Sequence, residues 1–137
     1  MRTRLIAKTI VLDESYRVLL IRRSKDDDRR PGEQDFPGGS IEPHEDIIAG
    51  VCREIREEIG LNIPTSQIHV FYTKTEVYKN LNIVRVVCWV RLTHPEIVLS
   101  FEHDEYEWFS MEAAIEAFPH PVYGKALEYG MKNRIFT

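Results

Sequence analysis

Residues 39–61 read GSIEPHEDIIAGVCREIREEIGL, and the segment from Asp46 to Gly60 decides how the chain folds. At about 100° per residue, Ile47, Ile48, Val51, Cys52, Ile55 and Ile59 fall on one broad side of a helix, which must be its buried face. Gly60 ends the pattern as a glycine just past a helix does. Glu54, Glu57 and Glu58 project within an arc of about 100° at the edge of that face, Glu58 nearest the apolar boundary. Arg53 stands one turn before Glu57. Like charges on one side of a helix repel, and more strongly when partly buried. Arg53 can pair with one acid, and a hard divalent cation such as Mg²⁺ prefers clustered carboxylate oxygens. Taken alone, ExxEE is also what a solvated acidic helix face looks like.

Working outward, residues 4–12 and 16–23 are apolar and partly β-branched, with Asp13-Glu14-Ser15 between them. They read as two strands of a hairpin. Residues 24–35 form a charged loop that contains Asp26-Asp27-Asp28 and Arg29-Arg30, the acidic triplet reading as solvation of a rim. Phe36-Pro37-Gly38-Gly39 punctuates the chain with backbone that glycine tolerates best. Beyond the helix, residues 68–78 and 82–92 read as a second hairpin, and Glu105 to Phe109 as a short strand. Ser110 is the expected cap of a short helix, and Pro121 to Arg134 reads as a C-terminal helix. Paired strands with one central and one terminal helix predict an α/β class fold, an α/β/α layered domain with a mixed sheet.

With 137 residues and 16.1 kDa, the chain has the size of one domain, 1–137. Eighteen Lys and Arg against 22 Asp and Glu give a formal charge of −4. That excludes a nucleic-acid binder working by bulk positive charge, so a polyanion must be met by a local cation cluster or a metal. The two cysteines, Cys52 and Cys88, form no CxxC pair and read as buried free thiols of a reducing compartment. The five histidines show no metal-ligand spacing. No stretch is apolar enough for a signal-peptide core or a membrane span, so a cytoplasmic protein without a membrane partner is expected. Composition leaves a homodimer open.

Residues 39–61 resemble the signature box of the Nudix (MutT-like) hydrolases, G-x5-E-x7-R-E-U-x-E-E-x-G-U with U bulky and aliphatic. Gly39, Glu45, Arg53, Glu54, Ile55, Glu57, Glu58, Gly60 and Leu61 fill every fixed position. The resemblance implies a Nudix-type sandwich with a catalytic loop–helix–loop. It also implies an enzyme that hydrolyses the pyrophosphate linkage of a nucleoside diphosphate joined to another group. The expected cofactor is Mg²⁺ or Mn²⁺, held by Glu54, Glu57 and Glu58 with the Gly39 carbonyl. Arg53 and Glu45 match a pair that ties the loop to the helix and orients the acids. A further acid from beyond the box serves such sites as ligand or general base. Here Glu102 is the first candidate and Glu105 the second. Glu54, Glu57, Arg53, Glu45 and Glu102 thus make up the expected catalytic set.

Substrate contacts are less specific. Arg22 and Arg23 end a strand where the family often carries phosphate-binding cations. Phe36, Tyr72, Tyr78 and Trp89 could stack on a base, although packing within the core or on the sheet accounts for each as well. A short chain with no added domain most resembles the members that cleave nucleoside triphosphates. Coenzyme A, nucleotide-sugar or dinucleoside-polyphosphate hydrolysis, or a non-catalytic nucleotide-binding module, are the alternatives. A small-molecule nucleotide is the expected partner in each case.

Overall fold

The computed structural model describes residues 1–137. Its sheet is built on two long strands, β1 (Arg2–Leu12) and β6 (Leu81–Arg91), which run parallel in register from Arg2↔Leu81 to Leu12↔Arg91. The remaining strands are β2 (Val18–Arg23), β3 (Gln34–Asp35), β4 (Gly38–Ser40), β5 (His69–Tyr78) and β7 (His103–Phe109). The sheet order is β3-β2-β1-β6-β5, with β4 on β1 and β7 on β2. One parallel pair among antiparallel ones makes the sheet mixed, as expected.

The helix α1 (Ile47–Ile59) forms where the apolar periodicity places it. Asp46 caps it by accepting from the Ala49 N–H at 3.2 Å. Gly60 closes it at φ 73°, a left-handed conformation that a β-carbon disfavours, with its N–H donating to the Arg56 carbonyl. The hairpin β5–β6 also forms, over a two-residue turn at Lys79-Asn80. Ser110 caps α2 (Met111–Ala117), and the C-terminal helix α3 spans Tyr123–Lys132.

The first expected hairpin does not form as a ladder. β1 and β2 meet only at Leu12↔Val18, and β2 then pairs with β7 from Val18↔Phe109 to Arg23↔His103. The reason is competition for the edge of β1. Its first half carries β4, through Ile6↔Ser40 to Lys8↔Gly38, and its other edge carries β6.

Alternation along β1 divides the core between the two faces. Ala7 and Val11 join Val51, Ile55 and Ile59 of α1, all five being 0–1% exposed, with most of the buried area on the valine and isoleucine side chains. Each such side chain taken out of water contributes about 2 kcal/mol. Ile10 and Leu12 face the other way, against Phe118, Tyr123 and Leu127. Over the first half of β1 that second face carries Arg4, Ile6 and Lys8, and a cleft opens there, bounded on one side by Tyr123 of α3. Cys88 is buried as expected, whereas Cys52 is only half-buried.

Candidate active site

The cleft has a volume of about 310 Å³ and lies between α1, the start of β1, β4 and the loop after β2. One wall carries Glu54, Glu57 and Glu58, and Glu102 lines it as well. Six cations share it: Arg4, Lys8, Arg23, Arg29, Arg30 and Arg85. A chain with an overall charge of −4 thus concentrates positive charge at one place, facing a wall of carboxylates.

Gly38 and Gly39 let the acidic helix approach the sheet. Gly38 sits at φ 140°, and a β-carbon there would collide with the Ala7 carbonyl. Its N–H donates to Glu58 Oε2 at 2.6 Å, and its carbonyl accepts from Lys8 Nζ at 3.1 Å. A β-carbon on Gly39 would stand 3.1 Å from the Glu54 carboxyl group. Glycine at 39 therefore leaves open the space that Glu54 shares with this backbone.

Arg53 organises the acids. Its Nε and Nη2 bind the two Glu45 oxygens at 2.7 and 2.9 Å, a bidentate fork. Nη1 reaches Glu54 at 3.1 Å and Glu57 at 3.2 Å, and Nη2 also donates to the Ser40 carbonyl. The Glu45 carboxyl is held down to about 2 by Arg53, with the Glu42 N–H assisting. Glu58 behaves in the opposite way. Burial pushes it up to about 8, against the opposing pull of Lys8 and the Gly38 N–H. Burial raises Glu54 too, with Arg53 opposing.

These are the donors a hard cation takes: three carboxylates and a glycine backbone around one cleft. No three acidic, histidine or cysteine side chains stand at ligand distance from a common point. Arg53 instead holds Glu54 and Glu57 to itself. Glu54 and Glu58 are both raised, and a cation among them would reverse that cost by favouring the ionised forms. The residues fit the group.

Of the remaining expected residues, Glu102 lines the cleft with an exposed side chain, while its carbonyl accepts from the Ser24 N–H at 2.9 Å. Glu105 lies elsewhere, paired with Arg22 at 3.2 Å across β2 and β7. Arg22 is therefore not a cleft residue. Neighbours on a strand face opposite ways, and only Arg23 lines the site. Phe36 is likewise corrected: it is 0% exposed, packed edge-on against Phe118 at 5.0 Å between ring centres, and offers no face to a base. The acidic triplet is more than a solvated rim. Asp27 binds Arg23 at 2.6 Å and accepts from the Arg29 and Arg30 N–H groups, both at 2.9 Å, folding the loop back.

Sequence reasoning missed Arg4, Lys8, Arg85 and Tyr123. Lys8 is 6% exposed and pairs with Asp35 at 3.0 Å. Arg85 is held by Glu76 and donates to the Tyr123 hydroxyl at 2.7 Å. The available signal was a cation in the middle of an apolar strand, at Lys8 in 5–12 and at Arg85 in 81–91.

Comparisons with known proteins identify the family and the fold. The model of the NUDIX domain matches residues 2–128. The MutT protein of Methanosarcina mazei Go1 superposes with a TM-score of 0.82 at 23% identity, over 97% of this chain and 96% of that one. The Escherichia coli ORF135 protein superposes at 0.80 with 25% identity, over 98% and 92%. The Caenorhabditis elegans Ap4A hydrolase superposes at 0.74 with 22% identity, over 97% and 99%. No curated protein matches the sequence. The fold and site define a hydrolase built on a carboxylate-bearing helix, and the chain belongs to the Nudix family.

Proposed function

We propose that the chain is a Mg²⁺- or Mn²⁺-dependent pyrophosphohydrolase that opens the diphosphate linkage of a small nucleotide, a nucleoside triphosphate in the first instance. The observation that carries this is the cleft's division into a carboxylate wall and a set of six cations. A diphosphate repels an anionic nucleophile, and its oxygens need positive charge on both sides.

Glu54, Glu57 and Glu58, with the Gly39 carbonyl, would hold the divalent ion, and Glu102, which lines the same cleft, would serve as a further ligand or base. Such an ion, when bound, supplies charge neutralisation and an activated water. The chain's own groups do the rest. Arg53 fixes Glu54 and Glu57 in orientation and is itself fixed by Glu45. Lys8 and Arg23, both shielded from solvent, meet phosphate oxygens in surroundings where charge acts strongly. Glu102 is exposed and makes no side-chain hydrogen bond, which leaves its carboxylate free to take a proton from an attacking water.

The test is substitution of the acids. Glu57→Gln and Glu58→Gln should each cut turnover by orders of magnitude while the chain still folds, as judged by circular dichroism. Substrates are a panel of nucleotides and nucleotide sugars, with products resolved by phosphorus NMR in ¹⁸O-labelled water. Full activity in both variants would overturn the assignment.

A further inference from the structure

The sheet ends on two long borders. β7 forms one of them and carries Asp104, Glu105 and Glu107, so two copies meeting there repel. β5 forms the other. Its only ladder is with β6, and none of its backbone groups bonds to another segment, so one whole edge is free. A bulge shifts the register between Val70 and Tyr72 and leaves residues 72–78, YTKTEVY, as a regular run. That run holds three β-branched and two aromatic residues and no glycine or proline. Val77 is 63% exposed and Tyr78 62%. Free edges of this kind pair with other chains unless charge or shape prevents it.

Charge decides which chain fits. Lys74 stands directly across the ladder from Arg85, a like charge. The carboxylate two positions on, Glu76, is bound by Arg85, and Lys74 is left exposed with no ion pair. An acid beside Lys74 is what β5 lacks, and an antiparallel copy of β5 supplies it. A two-fold axis perpendicular to the sheet keeps every side chain on its own face, so it must pass through a residue position. Centred on Lys74 or on Glu76, it sets like charges against each other. Centred on Thr75, it sets Lys74 against the partner's Glu76, Thr73 against the partner's Val77 and Tyr72 against the partner's Tyr78. That register also uses the whole of 72–78.

We propose that the chain associates as a two-fold dimer through β5, antiparallel about Thr75, so that two sheets become one. The interface is isologous, and each contact between Lys74 and the partner's Glu76 occurs twice. Because Glu76 also holds Arg85, the partner's Lys74 stands beside a residue that lines the cleft. Association of this kind stands on the sheet edge and not on the proposed reaction.

The test is sedimentation velocity on the full chain over a concentration range of about 1 to 500 µM, which spans the affinities of modest interfaces. Lys74→Glu and Glu76→Lys each make both contacts repulsive, and each should weaken the dimer about tenfold or more. An equimolar mixture of the two variants restores opposite charges at both contacts, and its heterodimer should return to within about threefold of the wild-type dissociation constant. Recovery in the mixture also excludes misfolding as the cause of the loss. In the wild type, amides of residues 72–78 should exchange more slowly at the upper end of the range. A wild-type chain that stays monomeric throughout, variants that dimerise as the wild type does, or a mixture no tighter than either variant would overturn the proposal. So would a dimer whose 72–78 amides exchange at the monomer's rate, because another face must then join it.

Discussion

Replacing Lys8 with methionine keeps the length and the apolar stem of the side chain and deletes its charge. The ammonium group stands 3.0 Å from Asp35 and 3.1 Å from the Gly38 carbonyl, with both side chains of the pair less than a tenth exposed. Breaking a buried pair from one side leaves a charge without compensation and costs about 3–5 kcal/mol. Asp35 would keep the Phe36 N–H at 2.9 Å and Arg23 at 3.4 Å, which places Lys8→Met at the lower end, about 3 kcal/mol. With a urea slope of about 2 kcal/mol/M, the midpoint should fall by about 1.5 M. Fluorescence of Trp89 and Trp108 follows the transition. In the double variant Lys8→Met/Asp35→Asn the stranded charge is gone, so much of the loss should return. The two effects should then fail to add by about 2 kcal/mol. A Lys8→Met chain within 1 kcal/mol of the wild type, or effects that add within about 0.5 kcal/mol, would refute the buried pair as the support of this corner.

Two other outcomes follow from the same region. Gly38→Ala puts a β-carbon into the Ala7 carbonyl at a φ of 140°, so β4 must leave β1. The expected result is loss of the cooperative unfolding transition or of the β4 amide protection measured by hydrogen exchange. Glu58 predicts a pH dependence of the metal-free chain. Its folded value of about 8 lies above the ordinary 4.5, so between these the folded chain keeps a proton that the unfolded chain has released. The stability from this group is complete below 4.5 and is lost as pH rises through 8. Urea midpoints in EDTA should fall from pH 7 to pH 9, and Glu58→Gln should flatten the slope. A midpoint that rises over this range would refute the assignment.

The parts of the fold that were legible in the sequence are those stabilised locally. Helix α1 carries its own periodicity, its cap at Asp46 and its stop at Gly60, and β5–β6 closes over a short turn. The carboxylate wall was legible for the same reason, because Glu54, Glu57 and Glu58 share one helix. What escaped depends on partners far along the chain. The parallel pairing of β1 with β6 leaves no local trace, and it turns an expected hairpin into two strands that touch at Leu12↔Val18. Strands as short as β3 and β4 have no period to detect. Phe36 looked available because its neighbours are loop residues. Its burial is decided by Phe118 and Tyr123, more than 80 positions away.

The placement of β1 also governs the order in which the chain can assemble. It is translated well before its full-length partner, which ends at Arg91, so a strand with Ile10, Val11 and Leu12 waits without that partner while the segment between them is made. Such high contact order slows folding and leaves an apolar segment open to other chains. Hairpins that close over two residues, as β5–β6 does, form on the microsecond scale, faster than strands paired across some 80 positions. Arg2, Arg4 and Lys8 interrupt the apolar run of β1, and charges in such positions oppose aggregation of an unpaired strand. Arg4, which later lines the cleft, thus also guards the nascent strand, and neutralising Arg2 and Arg4 together should lower soluble yield even where the finished fold tolerates the change.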